Sequence, residues 1–205
     1  MEPLSAADSA RVAAAITAAE QTTAGEIRVV LVTHPVVRDH VYPVLWAALA
    51  ALTLPWLAAL VRPIPSLYLF GAQVFLLVGI SLVLRLPRLE RMIVPFRVRE
   101  AEVRDVALTQ FLALGIHQTR DRTGLLILVA LADRIAEVVA DQEIHAKVGH
   151  DAWHSICTKI ISGAGSGQLA DGLIAGIDEA GRLLSQHFPP RPDNFNELPD
   201  HLTVI

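Results

Sequence analysis

Residues Tyr42–Leu86 read YPVLWAALAALTLPWLAALVRPIPSLYLFGAQVFLLVGISLVLRL, and this stretch decides how the chain is built. Two apolar runs, Val41–Val61 and Ser66–Leu84, flank Arg62-Pro63-Ile64-Pro65. Each run holds about 20 residues, which at ~1.5 Å of rise per residue covers the ~30 Å of a hydrocarbon layer. Neither run contains Asp, Glu, Lys or Arg. A helix without a polar face has no side to turn to water, and hydrocarbon admits only segments that satisfy their own backbone. The stretch is therefore expected to be a transmembrane helical hairpin bounded by Val41, Val61, Ser66 and Leu84. Pro43 sits in the first turn, where a missing N–H costs little. Tyr42, Trp46, Trp56 and Tyr68 fall toward the run ends, as interfacial aromatics do. Pro55 lies inside the first run and is expected to kink it. The alternative is a hairpin buried in a large soluble core, but no other part of the chain is apolar enough to cover it.

The short flanks set an orientation. Arg85, Arg88, Arg91, Arg97 and Arg99 follow the second run, Arg28 and Arg38 precede the first, and only Arg62 lies between. The positive-inside bias then places both termini, with the polar remainder, in the cytoplasm of a bacterial plasma or inner membrane. Residues 1–30 lack the basic start and long apolar core of a secretory signal. The single cysteine, Cys157, leaves no intramolecular disulfide to form.

Of the 205 residues, those outside the hairpin suffice for one compact domain. A net charge of −4 carries no general nucleic-acid footprint. The local arginines after the second run could meet anionic lipid heads, but Glu90, Glu100 and Glu102 dilute them, which favours simple anchoring.

Working outward from the hairpin, Ser5 and Asp8 form the start signal of a helix over about 6–22, which Gly25 is placed to end. Glu26–Thr33 (EIRVVLVT) is short and β-branched, apolar on both faces past Arg28, and reads as a buried strand. Beyond Pro95, a stripe of Val103, Val106, Ala107, Phe111 and Leu114 marks a helix over 97–114, with Gly115 at its C′ position. Leu125–Ala132 is a second buried strand and Ile135–Ala140 a third, joined by a tight turn at Asp133-Arg134. Asp141–Gly149 reads as a polar connection. Helices follow over 150–161, with Trp153, Ile156, Cys157 and Ile160 inward, and over 169–187. Residues 162–167 (SGAGSG) read as a flexible break, and the 15 residues after Pro189-Pro190 as an extended arm. Buried strands flanked by helices imply a three-layer α/β domain into which the hairpin is inserted. Its parts are 1–37 and 95–188, with the hairpin at 41–86 and the tail at 189–205.

Several polar groups carry candidate chemistry. Asp133, Arg134 and Asp141 lie at the ends of the second strand hairpin, where carboxylates can hold a hard cation such as Ca²⁺ or Mg²⁺ and Arg can clamp phosphate oxygens. The bland reading is a solvated turn. Arg120 and Arg122, with His117 and Asp121, could line an anion site, although such loops are more often ion-pair surfaces. His150 and His154 in HDAWH share a helix face, but Asp151 stands where a zinc protease needs Glu and no third ligand is evident. The SGAGSGQ segment follows a helix and lacks Lys, so it does not read as a phosphate loop. Cys157 reads as packing.

The run Phe111, Leu114-Gly115-Ile116, Thr119 to Val129, Asp133-Arg134, Lys147-Val148-Gly149, Trp153 and Leu169 to Leu173 resembles the TPM-domain family. The likeness covers about Gln110–Phe188, more loosely Ser5–Thr33, and Asn196-Glu197-Leu198-Pro199 looks like the tail of its bacterial membrane-bound members. The resemblance implies an α/β/α sandwich, and activities linked to the family include acid phosphatase, divalent-cation binding and photosystem II repair. Typical members enter a lumen or periplasm behind a signal peptide, whereas this chain has an internal hairpin.

Two functions follow as expectations. One is a non-enzymatic interaction module that uses the bilayer and other membrane proteins as partners in membrane-protein assembly or maintenance. The other is a divalent-cation-dependent phosphatase built on Asp133, Asp141 and Arg134; whether the chain is an enzyme at all is left open by the residues.

Overall fold

A computed structural model describes residues 4–36, 41–86, 89, 92–191, 197–199 and 201–205, without the side chains of His150 and Asp151. Arg38, Arg88, Glu90, Arg91 and Asn196 therefore lie outside the described residues. The elements run α1 (Ala6–Glu20), β1 (Glu26–Val32), α2 (Val41–Val61), α3 (Ser66–Leu84) and α4 (Phe96–Ala113), then a 3-10 turn at Ile116–Gln118. They continue β2 (Gly124–Ala130), β3 (Ile135–Ala140), α5 (Gln142–Lys147), α6 (His150–Gly165), α7 (Leu169–His187) and β4 (Thr203–Val204). The chain falls into two compact units, one of residues 1–36 and 100–205, the other of residues 37–99.

The first unit is a mixed α/β domain on a four-stranded sheet of order β3-β2-β1-β4. β1 and β2 run parallel from Glu26↔Gly124 to Val32↔Ala130, and every residue of both is buried. A parallel pair needs a long crossover, and here the crossover contains the hairpin and α4. One face of the pair, Ile27, Val29, Leu31, Leu125, Ile127 and Val129, joins a single core with Val12 and Ile16 of α1, Ile156 and Ile160 of α6, and Leu173, Ile177 and Leu184 of α7. The other face, including Val30, Val32, Leu126 and Leu128, is equally buried. Glu137 of β3 stands opposite Leu128, and it takes Arg104 of α4 at 3.1 Å. α4 buries Val103, Ala107 and Phe111.

Local chemistry explains most element ends. Ser5 Oγ accepts the Asp8 N–H at 3.1 Å and donates to Asp8 Oδ2 at 2.8 Å, closing the N-terminus of α1. Gly115, at φ +69°, takes the left-handed position just beyond α4 that other residues avoid. Four expectations change. α1 stops at Glu20 with Gln21 as its cap, and Gly25 instead makes room for Leu184. The β2–β3 connection is a four-residue loop, Leu131 to Arg134, with Arg134 N–H on the Leu131 carbonyl at 3.3 Å. The connection after β3 contains α5, capped by Asp141. Residues 162–165 are the last turn of α6 rather than a break. There Gly163 meets Gly172 of α7 so closely that a Cβ would lie 2.6 Å from the Gly172 Cα.

The tail is also more than an arm. β4 pairs in parallel with β1 through Val30↔Thr203 and Leu31↔Val204 and so covers the β1 edge.

In the second unit α2 and α3 pack against each other. α2 continues through Pro55 and buries only Pro43, Ala47, Ala51 and Pro55, a stripe at i+4 spacing. α3 buries none of its residues. Both helices are long and apolar enough to cross a membrane, and only 17% and 6% of their most apolar windows are buried.

Candidate functional site

The β2–β3 loop fixes Asp133 and Arg134. Asp133 is buried, and its Oδ2 accepts the Val36 N–H at 2.7 Å. That bond ties the loop to the segment that leaves β1 toward the hairpin. Arg134 takes φ +56° with an exposed side chain, a left-handed conformation that costs a non-glycine residue about 1 kcal/mol. This explains how a turn without glycine closes here.

Asp141 lies at the other end of β3, where its N–H reaches the Gly124 carbonyl at 2.9 Å. Its Oδ1 accepts the Gln142 N–H at 2.7 Å, and Oδ2 is buried without a partner among the described residues. The six-residue strand between Asp133 and Asp141 separates them by roughly 20 Å at ~3.3 Å per residue. A cation binds carboxylate oxygens at ~2.3–2.6 Å, so one ion cannot touch both. Among the described residues no group of three or more His, Cys, Asp or Glu side chains is placed to hold a metal. The residues present thus do not fit a shared cation centre.

The loop before β2 is tied down through its acid and its backbone. Asp121 takes Arg191 at 2.8 Å, and the Arg120 N–H donates to Glu197 Oε2 at 2.9 Å. Arg122, at φ +54°, bonds through its own N–H to the Thr119 carbonyl at 3.1 Å. The side chains of Arg120 and Arg122 are exposed. His117 stands with its ring 6.5 Å from Phe111, and its Nδ1 is buried without a partner among the described residues.

His154 is exposed on α6, and the side chain of His150 lies outside the described residues. Cys157 is largely buried beside β3; desolvation, then the charge of Glu137, pushes its thiol up to about 12. Between α6 and α7, Lys159 pairs with Glu179, and that hydrogen bond holds the Glu179 carboxyl below its usual range.

A polar cluster on β1 was not singled out from the sequence. Glu26 and Arg28 are each 4% exposed, two residues apart on one strand face. The Glu26 carboxylate accepts the N–H groups of Glu197 at 3.4 Å and Leu198 at 3.2 Å. Arg28 donates to the Pro199 carbonyl and, at 3.2 Å, to Thr203 Oγ1. Arg28 is therefore a strand residue rather than a membrane flank. The signal was present: a charged pair at i, i+2 in a strand otherwise apolar on both faces needs buried partners.

Residues 91–183 match the model of the TPM domain. No curated protein matches the chain. Among solved structures, the chain is similar in fold to the NMR structure of the BA42 protein from the psychrophilic bacterium Bizionia argentinensis, at 23% identity and a TM-score of 0.61. That likeness covers 98% of this chain and 95% of the other. The family match spans the stretch from α4 to α7, the part whose residues carried the resemblance, and over that stretch the chain is similar to a TPM domain.

Proposed function

We propose that this chain is an integral membrane protein whose TPM domain, layered α/β/α, acts as a non-enzymatic interaction module on the cytoplasmic side of a bacterial inner membrane. The observation that carries the reading is the exposure of the hairpin. Leu60 is 83% exposed and Phe75 77%, with apolar side chains turned outward along both helices away from their mutual contact. At ~25 cal/mol per Å², leaving that surface in water is strongly unfavourable, and a bilayer removes it. Burial on both faces of β1 and β2 supports the layering. Arg85, Arg97 and Arg99 outside the spans, against Arg62 between them, support the orientation. The distance between Asp133 and Asp141 supports a module without a metal-assisted reaction.

The chain is expected to stay in the membrane pellet through alkaline carbonate and to enter solution only with detergent. Protease added outside intact cells is expected to leave the TPM domain whole. Release by carbonate sinks the anchor, and digestion of the domain reverses the orientation. Turnover of generic phosphomonoesters with Mg²⁺, Ca²⁺ or Mn²⁺, abolished in Asp133→Asn, would establish a phosphatase in place of the module.

A further inference from the structure

The contacts that hold residues 197–199 and 201–205 go mostly to their main chain. Glu26 takes two successive N–H groups, Arg28 a carbonyl, and Thr203 and Val204 pair with the β1 edge. Ile205 N–H donates to the Leu31 carbonyl at 2.9 Å, and its carbonyl accepts the Thr33 N–H at 2.9 Å. A receptor built this way reads extended backbone, and side chains refine the choice. Two side chains do so here: the Thr203 hydroxyl accepts from Arg28, and the Glu197 carboxylate sits on the Arg120 N–H, in the loop that also exposes Arg120 and Arg122. The tail's own apolar contribution is small. β4 is two residues long, and Val204 and Ile205 are 48% and 37% exposed. Segments with few buried apolar contacts open at low free energy. When this one opens, Glu26 and Arg28 lose groups that satisfy buried charge, which favours refilling the groove.

We infer that the β1 edge, with Glu26 and Arg28, is a docking groove for an extended acidic segment of a partner protein, and that residues 197–199 and 201–205 occupy it in cis. The inference rests on the interaction-module reading and names its partner class. An acidic residue enters first, beside the Arg120–Arg122 loop, and the following residues add as a parallel strand.

The test uses the full-length chain in detergent and a fluorescent peptide of residues 197–205. A short tether gives the cis tail an effective concentration of order 1 mM, so the wild-type chain is expected to bind the peptide weakly but saturably. Val30→Cys with Thr203→Cys places a thiol pair on adjacent strands. Once oxidised, the lock is expected to weaken peptide binding at least ~10-fold, and reduction to restore it. In the unmodified chain the Leu198 and Ile205 amides are expected to exchange with solvent at least ~10-fold faster than that of Ile127. Absence of peptide binding by both the wild-type and the reduced chain, or tail amides as slow as Ile127, overturns the groove. Peptide-sensitive dimerisation of the intact chain overturns it too, because the occupant is then a second copy. Peptide binding is read in detergent, so it stands or falls apart from the carbonate result.

Discussion

Asp133 and Asp141 carry the same chemistry and do different work. Asp133 satisfies the Val36 N–H across the β2–β3 loop, whereas Asp141 caps α5. Asp133→Ala is expected to cost about 1–3 kcal/mol, because it strands a partly buried N–H, and Asp141→Ala about 1 kcal/mol for a lost cap. Sites this far apart act independently, so denaturant midpoints of the double variant should give the sum to within ~0.5 kcal/mol; a large coupling energy would show that the two act as one site. For Cys157, a thiol pushed from 9.0 to about 12 by burial holds little thiolate. Alkylation of the folded chain at pH 8 is expected to run roughly 10³-fold slower than that of the unfolded chain. Equal rates would place the thiol in solvent. The Glu179 carboxyl is depressed, first by the Lys159 hydrogen bond. A depressed acid stabilises the fold above its unfolded value of about 4.3 and loses that contribution as pH falls through the folded value. Lys159→Met is therefore expected to cost ~0.5 kcal/mol or less near pH 7, a difference that shrinks below about pH 4.5 in urea melts taken across pH.

At the scale of elements, period and caps made several boundaries readable. β3, α7 and both spans fall where the sequence places them, because a strand of β-branched residues or a long unbroken periodic run leaves few alternatives. The misses cluster where a residue answers to something distant in sequence. Gly163 reads as a linker residue, yet it lets α6 approach α7 at Gly172. Gly163→Ala is expected to destabilise the domain by about 1–3 kcal/mol through overpacking, despite a gain in helix propensity. A thermal transition unchanged or raised would mean that the helices part freely. The tail has no period because its binding groups are backbone atoms, and main-chain recognition leaves almost no pattern in side chains.

For the whole molecule, the proposed reading puts the hairpin in hydrocarbon and the rest of the chain in water. A substitution at an exposed position of a soluble protein usually changes stability by ~0.5 kcal/mol or less, whereas Arg at the centre of a membrane helix costs about 2.5–3.5 kcal/mol on insertion scales. Phe75 lies mid-span in α3 and is 77% exposed. Phe75→Arg is expected to shift much of the chain out of the membrane pellet while Leu112→Arg, also at an exposed apolar position, leaves it there; equal behaviour would argue against a bilayer around α3. The sequence alone determined the two long apolar runs and the buried strands, because each is written in local composition and period. Tertiary structure alone decided that Asp133 bonds the Val36 N–H, and that Glu26 and Arg28 grip the tail. Those relations join residues up to 175 positions apart, and closing such a loop is decided by the packing of the whole chain, which no local pattern records.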